Sequence, residues 1–194
     1  GKTGNIFANR YFNAEKKFAN MLRERFMPTH DPSVFNPDFD KESYKKLTKA
    51  QQGVVDFVGN NSLTVLTGLP GTGKTTTIKA IVDVYGEDNV VLLAPTGKAA
   101  ARMSELCNMQ ATTLHSFFFQ PQTPHIARTI ENCILIIDEL SMLDVEVAGW
   151  IAQGIKESCN LVLVGDPDQL PSVGPGQILS DIFKSEIECK FHLD

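Results

Sequence analysis

The ten residues from Gly68 to Thr77, GLPGTGKTTT, set one lysine in a glycine-rich stretch directly behind the apolar run at residues 63–67. They satisfy the pattern G-x-x-x-x-G-K-[ST] in the setting that pattern needs, with a strand before it and a helix after it. Glycine lets the backbone turn successive N–H groups inward, and the positive end of the following helix adds to their attraction for an anion. The predicted chemistry is phosphate binding. Gly68, Pro70, Gly71, Thr72, Gly73 and Thr76 shape the cradle, Lys74 reaches the β- and γ-phosphates, and the Thr75 hydroxyl ligates Mg²⁺.

A second stretch, CILIIDEL at residues 133–140, ends an apolar run with two acids. Asp138 at the end of that run is placed to hold Mg²⁺, directly or through water. Glu139 beside it is placed to orient and deprotonate an attacking water. A base next to a metal ligand points to hydrolysis rather than transfer to a second substrate.

These residues need a scaffold that delivers them to one edge. Residues 63–67, 90–94, 133–138 and 161–165 read as buried strands, and the intervals between them have room for crossover helices. Runs apolar on both faces with helices between them require a parallel sheet, so the predicted class is α/β. Ahead of it, in an N-terminal segment of residues 1–26, residues 10–26 set Tyr11, Phe18, Leu22 and Phe26 at helical spacing among basic residues, which predicts an amphipathic helix. Residues 27–46, including the three prolines of MPTHDPSVFNPDFD, read as a linker, and residues 47–194 as the main domain.

Composition excludes several classes. The chain has 194 residues, 42% of them hydrophobic and 21% charged, and no apolar run approaches the ~20 residues that span a bilayer. The four cysteines show none of the close spacings of a zinc site or redox pair, so they read as reduced cytoplasmic thiols. Net charge is −5, but it is uneven: residues 1–130 carry 15 Lys and Arg against 11 Asp and Glu, and residues 131–194 carry 3 against 12. The acidic part holds the candidate metal residues.

Five blocks follow one another along residues 47–180: LTGLPGTGKTTT, APTGKAAARM, TTLHSF, IIDELSML and VGDPDQLPSV. Their identity and order resemble the RecD-type superfamily 1 DNA helicases, the group that includes the exodeoxyribonuclease V alpha subunit. The resemblance implies a RecA-like P-loop NTPase lobe that binds ATP and Mg²⁺ and drives movement 5′ to 3′ along single-stranded DNA, with other subunits of a recombination or repair complex as possible partners. It gives Gln51 to adenine, although Thr48 and Gln51 also have capping-box spacing. It gives Gln169 to sensing the γ-phosphate, and Pro95, Thr96, Lys98, Arg102, Thr113 and His115 to the DNA.

Against the family pattern, only the first of two motor lobes is expected in this chain, so a longer parent protein is expected to supply the second lobe and its arginine. The isolated chain should then hydrolyse ATP negligibly. Residues 120–132 leave room for at most a small hairpin. An RNA helicase lobe, or a nucleotide-sensing module that regulates a nuclease, are the alternatives.

Overall fold

The computed structural model describes residues 2–26, 35–119, 127–169 and 188–194. Within them, six parallel strands form one sheet: β1 (Leu63–Gly68), β2 (Val90–Ala94), β3 (Ala111–Thr113), β4 (Ile134–Ile137), β5 (Asn160–Gly165) and β6 (Lys190–Leu193). Their order is β3-β2-β4-β5-β1-β6. The four strands read from the sequence are four of these. The two outermost were missed, because Ala111–Thr113 is only 3 residues long and KFHL carries two polar residues among four.

Alternate side chains along the strands feed two cores. Leu63, Val65, Leu135, Ile137, Leu161 and Leu163 join a cluster with Phe18, Leu22, Trp150 and Ile151. Leu66, Leu92, Ile134, Ile136, Val162 and Val164 join another with Val54, Ile78, Ile81 and Met103. The sheet is therefore covered on both faces. On the first lie α1 (Lys2–Glu24), α6 (Leu114–Phe118) and α7 (Val145–Gly154), and on the second α3 (Lys49–Val58), α4 (Lys74–Tyr85) and α5 (Gly97–Cys107). All four cysteines are buried and unbridged.

The N-terminal helix is part of the first core. It is longer than the expected amphipathic stretch, and among its described side chains Phe18, Met21 and Leu22 are buried apolar ones. Small residues meet where it crosses α7: a Cβ added to Gly149 would stand 3.0 Å from the Ala14 Cβ. Tyr11 and Phe26, expected on the same face, are 47% and 39% exposed. Tyr11 lies nearly a turn before Ala14, and Phe26 follows the last helical residue. Past the helix end, the buried Arg25 guanidinium donates to the carbonyls of Cys159 at 2.5 Å and Lys156 at 2.6 Å, fastening the helix to the loop between α7 and β5.

Phe18→Ala is accordingly expected to cost about 3–5 kcal/mol of unfolding free energy. Tyr11→Ala should stay within about 0.5 kcal/mol of the parent. Urea unfolding of the two variants side by side checks this.

Part of the expected linker, residues 27–34, lies outside the described residues. The remainder is packed onto the second layer rather than hanging free. Phe35 sits edge-on to Tyr85 with centroids 6.2 Å apart, the Asp38 amide donates to the Val84 carbonyl, and α2 (Glu42–Lys45) adds one helical turn. Aromatic burial here outweighs the turn-forming composition.

Candidate nucleotide site

The phosphate loop follows β1 and opens α4. Gly71 has φ +88° and Gly73 φ +90°, left-handed values that a side chain would strain. At Gly73 an added Cβ would also stand 2.4 Å from Gln51 Nε2. The Thr72 hydroxyl donates to the Leu69 carbonyl at 2.9 Å, and the Thr77 hydroxyl to the Gly73 carbonyl at 3.0 Å, so the turn is braced from both ends. Lys74 Nζ donates to the carbonyls of Gly68 at 2.5 Å and Leu69 at 2.9 Å. Partial burial pushes its pKa below the ordinary lysine value, opposed by the charges of Asp138 and Asp166.

Gln51 plays the role its spacing allowed. Its Oε1 accepts from the Thr48 amide at 3.0 Å while its own amide donates to Thr48 Oγ1 at 3.3 Å, completing a capping box at the start of α3. Its Nε2 donates to the Gly73 carbonyl at 3.4 Å. The side chain so ties α3 to the phosphate loop, and the adenine role implied by the resemblance has to compete with both bonds.

Asp138 and Glu139 leave the end of β4 as the spacing required. The Asp138 Oδ1 accepts from the Glu139 amide at 2.8 Å. Burial raises the Asp138 pKa above the usual carboxylate range, helped by the neighbouring Glu139 charge and opposed by that amide bond and by Lys74 and Arg102. Glu139 itself sits at φ 53°, ψ 46°. A non-glycine residue there costs roughly 1–2 kcal/mol, and the turn it makes starts the short 3₁₀ segment Leu140–Met142. After β5, Asp166 organises the next loop: its carboxylate accepts from the Asp168 amide at 2.9 Å and from Gln169 Nε2 at 2.8 Å.

A cavity of about 540 Å³ gathers these groups. Its walls include Pro70, Gly71, Gly73, Lys74, Thr75, Thr76, Asp138, Glu139 and Gln169, all read from the sequence as nucleotide or catalytic residues. Gly68, Thr72 and Gln51 are not among the residues that line it. Sheet order explains the assembly, since β5 lies between β1 and β4 and sets Asp166 and Gln169 between the phosphate loop and the acidic pair. A Mg²⁺ ion suits the donors, because Thr75 and Asp138 offer two hard oxygens in one cavity and that ion commonly takes one or two protein oxygens beside phosphate and water.

Most residues given to DNA lie elsewhere. Pro95 and Thr96 follow β2, and Thr113 ends β3, whose register pairs Ala94 with Thr113, so these blocks emerge from neighbouring strands. Thr96 and Thr113 both act as helix N-caps, accepting from the amides of Ala99 and Ser116. Lys98 is exposed in the first turn of α5. His115 is exposed and stacks on Phe119 with centroids 5.1 Å apart, edge-on to Trp150 at 5.1 Å. Of the three phenylalanines, Phe118 is fully buried, while Phe117 and Phe119 are half-buried. Arg102 differs from the other DNA candidates, for it lines the nucleotide cavity. Trp150 beside His115 was not foreseeable from spacing, since the two lie on separate helices. Most of the candidate hairpin, residues 120–126, lies outside the described residues.

Comparison with known proteins agrees with this geometry. Residues 51–175 match the family model of the AAA domain. The chain is 35% identical over 181 residues to the ATP-dependent RecD2 DNA helicase of Deinococcus radiodurans, covering 89% of this chain and 25% of that protein. It is 36% identical over 163 residues to the RecBCD enzyme subunit RecD of Mycolicibacterium smegmatis, covering 68% of this chain and 29% of the relative. A solved structure of two coordinating Pif1 helicases at forked double-stranded DNA superposes with a TM-score of 0.52 at 26% identity, covering 76% of this chain and 43% of that one. The chain thus spans between a quarter and a third of the length of these curated relatives.

Proposed function

The chain belongs to the AAA domain family, and on that premise we propose that it is the first, RecA-like motor lobe of a cytoplasmic ATP-dependent DNA helicase. The observation that carries the reading is the single cavity in which Lys74, Thr75, Asp138, Glu139 and Gln169 meet. Lys74 and the loop amides hold the β- and γ-phosphates, while Thr75 and Asp138 hold Mg²⁺, which screens the triphosphate charge when bound. Glu139 takes the proton of the attacking water, and Gln169, held by Asp166, registers the γ-phosphate. Single-stranded DNA lies along the ends of β2 and β3, on Pro95, Thr96, Lys98, Thr113 and His115. Contacts of this type set position without reading sequence.

A second lobe in a longer protein, with its arginine over the cavity, completes the motor. Subunits of a recombination or repair complex are the proposed partners, in keeping with the RecBCD subunit among the relatives. The test is Glu139→Gln in that longer protein. It should bind ATP normally and lose about 10²–10⁴-fold in turnover, and unwinding with it. Unwinding that survives this change, with Lys74→Ala altering only nucleotide binding, would mark a sensor in place of a motor.

A further inference from the structure

We infer that Arg102 belongs to the nucleotide, reading the γ-phosphate from α5, and that this helix joins the nucleotide cavity mechanically to the DNA-binding end of the sheet. The inference rests on the function proposed above and adds a residue and a route to it. Ala99, Arg102, Met103 and Leu106 follow one another at helical spacing along α5, and all four face the cavity that holds Lys74 and Asp138. Arg102 is exposed to solvent within that wall, and among the described residues it makes no ion pair and no side-chain hydrogen bond. Its charge reaches Asp138 through space.

The charges in the cavity show what is missing without it. Among the described residues, Asp138, Glu139 and Asp166 bring three acids, against Lys74 and Arg102 as the two cations. Lys74 comes from the phosphate loop itself, at the start of α4. Arg102 comes from α5, a separate element lining the same cavity, and its planar fork suits two oxygens of a terminal phosphate.

One turn before Arg102 on the same helix stands Lys98, and the cavity wall stops short of it. Thr96 caps the helix immediately ahead. An α-helix of 11 residues with buried Ala99, Ala100, Met103 and Cys107 moves as a unit, so a displacement of Arg102 is carried to Lys98 and to the helix start. Loss of the γ-phosphate would then be felt at the DNA without any rearrangement of the sheet.

The experiment is equilibrium binding of Mg²⁺ with ADP, and of Mg²⁺ with a non-hydrolysable ATP analogue, to this chain and to Arg102→Ala, Arg102→Lys and Lys74→Ala. A thymidine oligonucleotide is titrated in parallel without nucleotide. The parent should prefer the triphosphate. Arg102→Ala should lose about tenfold of that preference with ADP affinity unchanged, and Arg102→Lys should restore part of it. Oligonucleotide affinity and thermal midpoint should not move, since the side chain is exposed. An unchanged preference in Arg102→Ala, or weaker oligonucleotide binding with normal nucleotide binding, overturns the inference while Lys74→Ala still weakens both nucleotides. A parent chain that binds neither nucleotide, or that Lys74→Ala leaves unaltered, overturns the proposed function as well.

Discussion

Lys74→Ala is expected to lower ATP turnover of the longer protein by about 10²–10³-fold, the cost of removing one positioned donor from a developing charge. The fold should survive. Lys74 makes its hydrogen bonds to two carbonyls of its own loop, Gly68 and Leu69, and the left-handed glycines and the Thr72 and Thr77 hydroxyls brace that loop without it. Half-buried, the ammonium is held between desolvation and the acids Asp138 and Asp166. A phosphate in the cavity would supply the charge partner that the two carbonyls lack. Steady-state hydrolysis with saturating single-stranded DNA, beside a thermal melt, separates loss of chemistry from loss of structure. A variant that keeps more than about a tenth of parental turnover would remove Lys74 from the phosphate site.

Asp138→Asn should move stability and activity in opposite directions. Burial keeps the Asp138 carboxyl protonated to higher pH than usual, so its ionised form is disfavoured in the folded state. For a carboxyl raised in this way, the stabilising contribution is complete below the unfolded pKa and is lost as pH rises through the folded value. At neutral pH the charge therefore costs stability. Asparagine keeps the Oδ1 acceptor for the Glu139 amide at 2.8 Å and removes the charge, so the thermal midpoint at pH 7 should rise and the gain should vanish on acidification. Hydrolysis should fall by about 10²–10³-fold, because a neutral amide is a poor ligand for a hard cation. In the parent, Mg²⁺-dependent nucleotide binding should begin to fail on acidification at a pH above that of an ordinary aspartate. Melting curves of parent and variant from pH 5 to 8 decide the sign, and a variant less stable at pH 7 contradicts it.

The candidate site was legible because its residues are consecutive. GLPGTGKTTT and IIDEL each carry ligands and the strand that delivers them in one stretch, and VGDPDQ does the same for Gln169. What lay hidden was spatial. Trp150 meets His115 across two helices, β6 pairs with β1 from the far end of the sequence, and Arg25 finds two carbonyls more than a hundred residues away. Arg102 was assigned by its block, APTGKAAARM, and a linear block does not say which side of a helix faces a cavity. Gln51 shows the converse case: its spacing offered two roles, and local capping geometry together with the Gly73 carbonyl takes up the carboxamide.

The packing of α1 against α7 bears on where this lobe can be cut. A piece trimmed to the family-matched span, residues 51–175, would strip Phe18, Met21 and Leu22 from Trp150 and Ile151 and present an oily flank to water. Such a piece should clump, whatever the state of its phosphate loop. A piece that keeps this core whole includes α1, and the segment that precedes the recognisable motifs is the lining of one wall.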